Sequence, residues 1–188
     1  MTFKIKSERM GMAQTQGKGE RQVRSAAARL AAVQALYSLD VGEGSVEELV
    51  RAFMNGAVGG YTMVDVPDPA GIFDPTETRT ELEPPDGELF CQLVRGAAAE
   101  RARLDEVIQA TLSSDWPWER LEALVRAILR AGVYELLERP RTPPKVAIKE
   151  YVDIALAFYS GPETKLVNAL LDRVARSARP EAFGTKAG

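Results

Sequence analysis

Arg21, Arg24 and Arg29 follow one another at roughly the spacing of helical turns, with Lys18 just upstream. Cationic side chains placed this way reach phosphate oxygens, and a helix N-terminus adds N–H groups that favour an anion. The alternative is a solvated helix face. A second constellation lies near the C-terminus. Phe158 and Tyr159 precede a Ser160-Gly161-Pro162 break, and Lys165 follows it. Aromatic faces beside a cation are the surface on which unpaired bases stack. Core packing is the alternative for Phe158. Tyr159, on a different face of the helix, is expected to be the more exposed of the two.

What the chain lacks narrows its chemistry. It has no histidine and a single cysteine, Cys91. The commonest general base is therefore absent, and so are Ser-His-Asp and Cys-His nucleophiles and the usual N/S zinc site. No carboxylate or lysine pair stands out for catalysis. The reading is a non-enzymatic protein with no cofactor and no metal. One cysteine cannot form an internal disulfide. No apolar run approaches the ~20 residues of a membrane span, and the polar N-terminus is not a secretory signal. These features point to a cytoplasmic protein with no membrane partner.

The net charge is −3, but it is unevenly spread. Residues 1–30 hold seven Lys and Arg against two Glu, a local balance of +5. Residues 62–88 hold eight acids against Arg79, a balance of −7. Phosphate binding depends on local cationic clusters, so a basic arm on an acidic protein is compatible with RNA.

The elements that must position these groups are helical. Residues 1–19 read as a disordered basic arm. A first helix is expected from about Glu20 to Leu39, Ala-rich and central. Ser45 with Glu48 forms a capping box for a second, over about Val46 to Asn55. Thr62 to Asp86, with five prolines and many acids, reads as an exposed insertion without strands. A third helix is expected over Asp86 to Leu112 and a fourth over Glu119 to Glu138, where Gly132 marks a close helix crossing. Pro143-Pro144 opens a fifth. Leu166, Val167, Leu170, Leu171 and Val174 give the sixth its apolar stripe. Residues 180–188 read as a flexible tail. The predicted fold is all-α, one domain over 20–179, with six or seven helices in two antiparallel sub-bundles joined by the third helix.

Three segments, in order, are more specific than amphipathic helices alone. They are VQALY (Val33 to Tyr37), VRAILRAGVYELLE (Val125 to Glu138) and PPKVAIKEYVDIA followed by K-x-V-N-x-L-L-D. Together they resemble the NusB family of bacterial RNA-binding transcription antitermination factors. The central segment matches the family form L-R-x-x-x-Y-E-L. The resemblance covers roughly residues 20–60 and 86–179.

The resemblance implies that boxA-type single-stranded RNA is bound by an arginine-rich start of the first helix. Arg29 matches the last arginine of that motif. The earlier family arginines fall on Ser25, Ala26 and Ala27, while Lys18, Arg21 and Arg24 lie further out. Gln34 matches a family glutamine whose amide would read base edges. Phe158 aligns with an aromatic near RNA, and Tyr159 and Lys165 flank it. The implied protein partner is NusE, the ribosomal protein that acts in transcription, with Tyr37, Glu163, Leu166 and Asn168 as candidate contacts. The implied setting is the RNA polymerase antitermination complex on ribosomal RNA operons, with a homodimer as a further possibility. Two alternatives stay open: an adaptor that has lost RNA binding, and the RNA-docking domain of a cytosine RNA methyltransferase.

Overall fold

From Ala127 to Val133 every residue of one helix is buried, Arg130 included. A helix apolar nearly all round has to be enclosed by others, and this one is the axis of the fold. The computed structural model describes residues 3–42, 44–55, 61–63, 79–81 and 85–184, with side chains for 19–42, 44–55 and 85–184. Its helices are α1 (Phe3–Val41), α2 (Val46–Met54), α3 (Gly87–Ala99), α4 (Arg101–Thr111), α5 (Ala123–Glu138), α6 (Pro144–Phe158) and α7 (Glu163–Ala178). The axial helix is α5, and α1, α3, α4, α6 and α7 all pack on it.

Two apolar cores result. The main one joins α5 to α4, α6 and α7, with Val33 and Leu36 of α1. The second joins α2 and α3 through Val50, Phe53, Phe90 and Leu93 to Ala28, Ala31, Ala32 and Ala35 of α1. Two faces of α1 thus serve two sub-bundles, and its alanines allow close approach to the second. Phe53 and Phe90 stack at 3.6 Å between ring centroids. The capping box forms as expected, with Glu48 N–H donating to Ser45 Oγ and Ser45 N–H to the Glu48 carboxylate.

Four sequence expectations are corrected. The first helix begins at Phe3, not near Glu20, so the basic arm is helical where it is described. No proline interrupts residues 3–41, and Lys, Arg, Met, Gln and Ala there favour helix. The third helix divides at Glu100 into α3 and α4. The bend lets Leu93 and Val94 face the second core while Leu104 and Ile108 face the main one. The joint between sub-bundles is accordingly shared by α1 and α3. The insertion also has paired strands at its ends: β1 (Tyr61–Met63) lies antiparallel to β2 (Arg79–Glu81), with Thr62 opposite Thr80. Most of the remaining insertion is outside the described residues. Finally, the tail is folded through Gly184: a 3₁₀ turn, Pro180–Phe183, places the Phe183 ring 4.6 Å from the Arg176 guanidinium.

Gly132 is the crossing point that its place in the apolar stripe suggested. A Cβ there would lie 2.9 and 3.0 Å from the Leu171 methyl carbons and 3.2 Å from the Tyr151 ring. Both neighbours are themselves fully enclosed. Gly132→Ala is therefore expected to lower stability by about 1–3 kcal/mol, because overpacking outweighs the gain in helix propensity. Urea unfolding followed by circular dichroism measures it.

Candidate nucleic-acid interface

The exposed cations of α1 lie at the end of its described side chains. Arg21 and Arg24 are both exposed. Lys18 lies on the same helix, but its side chain is outside the described residues. The Arg24 carbonyl accepts the Asp86 N–H at 3.0 Å, tying this part of α1 to the start of α3. The Asp86 carboxylate caps α3 through the Leu89 N–H. The basic ridge is thus braced against the second sub-bundle.

Arg29 does not belong to that ridge. It is 5% exposed and its guanidinium points inward. Nε and Nη2 donate to Glu135 of α5 at 2.9 and 2.7 Å in a bidentate pair, and the Tyr151 hydroxyl donates to the same carboxylate at 2.9 Å. Burial pushes the Glu135 carboxyl up. The hydrogen bonds and charge of Arg29, with the Tyr151 hydroxyl, more than reverse this and hold it below the ordinary range. The physical reason for the correction is the helical period. Arg29 shares a stripe with Val33 and Leu36, which face the main core.

Beyond Glu135, Arg29 Nη1 lies 3.6 Å from a Glu150 oxygen on α6. That contact registers α1 against α6. Steps of four from Arg29 along α1 reach Val33 and Tyr37, and steps of four from Glu150 along α6 reach Ile154 and Phe158. Val33 and Ile154 are both in the main core. The seam opens at its far end, where Tyr37 is 38% and Phe158 48% exposed.

Tyr159 and Phe158 exchange the roles expected from sequence. Tyr159 is half-buried and packs on the main core, and its hydroxyl donates to Glu122 at 2.9 Å. Burial and that carboxylate, with smaller contributions from Glu163 and Tyr37, push its phenol above the ordinary range. Phe158 ends α6 and continues the Glu150–Ile154 stripe past the last turn into solvent. Lys165 is exposed on α7, and Gln34 is exposed on α1. Leu166 is a correction: at 8% exposure it belongs to the main core, on one stripe with Leu170, so it offers no contact surface. Asn168 is exposed, and its side chain makes no hydrogen bond to the turn among the described residues. Glu163 is half-buried in the first turn of α7.

The surface therefore has two regions. Arg21 and Arg24 make a cationic stretch of α1. About 20 Å beyond Arg24 along the helix, by its rise per residue, Tyr37 and Phe158 sit with Glu122 and Glu163 nearby. The first suits phosphate. The second, aromatic and edged with acids, suits a protein side chain better than a polyanion.

Sequence reasoning missed a second buried ion cluster. Arg130 on α5 pairs with Asp40 of α1 and Asp105 of α4, and Arg101 adds a contact to Asp40 at 2.9 Å. The Trp118 ring lies 5.3 Å from the Arg126 guanidinium and 5.4 Å from that of Arg130. The signal was present in L-R-x-x-x-Y-E-L, whose Arg130 and Glu135 each carry one buried cluster. Among the described residues no group of three or more His, Cys, Asp or Glu could hold a metal ion, and no helix is long and apolar enough to cross a membrane.

Comparisons with known proteins agree on one family. The model of the NusB family matches residues 26–176. The transcription antitermination protein NusB of Rhodospirillum rubrum is 68% identical over 181 residues, covering 96% of this chain and 97% of that protein. The Rhizobium etli protein of the same name is 44% identical, covering 88% of this chain and 96% of its own. Among solved structures, T. maritima NusB superposes with a TM-score of 0.59 at 25% identity over 84% of this chain and 95% of that one.

Proposed function

Since the chain belongs to the NusB family of transcription antitermination proteins, we propose that it acts by holding boxA-type single-stranded RNA on the exposed face of α1. The supporting observation is the pair Arg21 and Arg24, exposed and braced through the Arg24 backbone to α3. Guanidinium groups contact phosphates, and Gln34 lies on the same helix for a base edge. Phe158 and Lys165 border the opposite end of the seam. No bond is made or broken; the protein works in the cytoplasm as a binding factor.

NusE would occupy the aromatic end, against Tyr37, Phe158 and Glu163. Binding RNA by one region and NusE by another explains how a short basic ridge suffices. The partner supplies a second RNA surface, and the joint complex gains from effective concentration. The complex would then join RNA polymerase during ribosomal RNA synthesis. One observation favours the adaptor reading instead: with Arg29 turned inward, fewer cations face solvent than the family motif implies.

Fluorescence anisotropy separates the two. Labelled boxA RNA and a scrambled control are titrated with the protein alone and with NusE. Tighter boxA binding, strengthened further by NusE, is the expected result. Equal or absent binding to both RNAs, with NusE still bound, would leave the adaptor.

A further inference from the structure

Arg141 and Lys145 stand at the start of α6, one in the turn before it and one in its first turn, and both are exposed. Neither side chain forms an ion pair or hydrogen bond among the described residues. Several other exposed cations are matched: Lys149 by Asp153, Arg176 by Asp172, Arg95 by Glu47 and Arg103 by Glu100 and Glu138. Glu138, the nearest acid before the turn, is thus held by Arg103. Glu150, the nearest after it, faces the buried Arg29.

Helix energetics argue against Lys145 where it stands. A cation in the first turn opposes the helix dipole, and Lys149, four residues on, repels it. The first turn carries no acid to offset either effect. Pro143 and Pro144 supply no N–H, so an anion here would be held by side chains rather than by the helix end. The reward for such a placement has to come from outside the helix.

Buried contacts bring this turn to the basic ridge. The Glu135 carboxylate accepts from Arg29 of α1 and from the hydroxyl of Thr142, the neighbour of Arg141. Arg179, at the end of α7, donates to the Thr142 carbonyl at 2.8 Å and to the Glu135 carbonyl at 3.4 Å, so the turn is fixed from two sides. The two helices also run the same way: Arg29 faces Glu150, and Tyr37 lies close enough to Tyr159 to act on its phenol. Going from Arg29 toward the start of α1 therefore leads toward the start of α6. Arg24 and Arg21 lie about 8 and 12 Å along α1 from Arg29, and Lys145 lies about 8 Å along α6 from Glu150. The four cations collect at one end of two adjoining helices.

We propose that Arg141 and Lys145 are phosphate-binding residues, and that RNA held at Arg21 and Arg24 crosses from α1 onto the start of α6. The inference rests on the RNA-binding reading given above and gives the strand a direction. It leaves the ridge away from the Tyr37–Phe158 end, so RNA and NusE are held side by side. The two contacts go to the backbone and carry no sequence preference. They make up for the guanidinium that Arg29 withdraws into the core.

The test is anisotropy of boxA RNA with wild type, Arg141→Gln, Lys145→Gln and their double variant, with Arg120→Gln as control. Arg120 is exposed just before α5, at the far end of that 16-residue helix from Arg141, about 24 Å away. Each single variant makes the same change in net charge. A phosphate contact on a single strand carries a salt exponent of about 0.7, a factor of about five between roughly 1 M and 0.1 M salt. Each of Arg141→Gln and Lys145→Gln is therefore expected to bind about fivefold weaker at roughly 0.1 M salt, with a slope shallower by about 0.7. The double variant is expected to bind about 25-fold weaker, with a slope shallower by about 1.4. Arg120→Gln is expected to bind like wild type. All should melt like wild type, because neither side chain at the site is buried or paired. If Arg141→Gln folds poorly, Lys145→Gln, which removes an unfavourable first-turn charge, decides alone. Wild-type affinity and slope in the double variant, or an equal loss in Arg120→Gln, overturns the proposal. So does weaker NusE binding with RNA binding unchanged, which would give these cations to an acidic protein surface. In each of these cases RNA binding that still depends on Arg21 and Arg24 keeps the underlying reading. No binding of boxA RNA by wild type overturns both together.

Discussion

Replacing Arg29 by methionine is expected to cost about 3–5 kcal/mol of stability, enough to unfold a marginal domain. The guanidinium is 6% exposed in its side chain and Glu135 is 0% exposed. Removing the cation leaves Glu135 buried with two neutral hydroxyl donors, Tyr151 and Thr142, and leaves Glu150 without the cation facing it. Both carboxylates then carry their desolvation cost uncompensated. Glu135→Leu alone should be similarly costly, since it strands Arg29 and the Tyr151 hydroxyl. The double variant is expected to lose less than the sum of the two, a coupling of at least about 1.5 kcal/mol in a double-mutant cycle. Denaturant unfolding measures each corner. Acid should act on the same pair. The Glu135 carboxyl is held below its ordinary value, so its contribution is complete at neutral pH and is lost as pH falls through the acid range.

The second large effect is expected at Arg130. Its side chain is 4% exposed and serves Asp40 and Asp105, on two other helices. Arg130→Met would leave Asp105 without its cation and Asp40 with Arg101 alone, whose own side chain is half exposed. The cost is again about 3–5 kcal/mol, because two partly buried acids lose their counter-charge. Arg130→Lys is expected to recover only part of this. A lysine keeps the charge but cannot form the planar fork to Asp105 or lie flat against Trp118. Thermal melts of the two variants should rank wild type, lysine, methionine. Equal melting of lysine and wild type would mean that charge alone matters there.

These two arginines also show what local sequence can and cannot carry. The apolar stripes of α5 and α7, the Ser45 cap, the Gly132 crossing and the helical class of the fold are short-range patterns, and each is legible from period and composition. Arg29 is different. Its identity as an arginine beside other arginines suggested a phosphate ligand or a solvated face, whereas the Val33–Leu36 stripe on which it lies is buried. Its partner lies 106 positions away, where no local pattern reaches. Asp40 and Arg130, 90 positions apart, were hidden for the same reason. Phe158 and Tyr159 exchanged roles because the helix ends between them: once α6 stops at Phe158, the next residue is free to turn back onto Glu122.

The distinction between buried and surface arginines is what the functional account stands on. The family motif places arginines at the start of the first helix. In this chain Arg29 holds the fold, and RNA contact is proposed for the exposed Arg21 and Arg24. The most direct measurement is anisotropy of boxA RNA across a salt series, for wild type and an Arg21→Glu/Arg24→Glu double variant. The expected result is weaker binding in a protein that melts like wild type. The slope of log affinity against log salt should be shallower by about 1.4, because two phosphates of the single strand are no longer neutralised. Wild-type affinity and slope in the double variant would contradict the account.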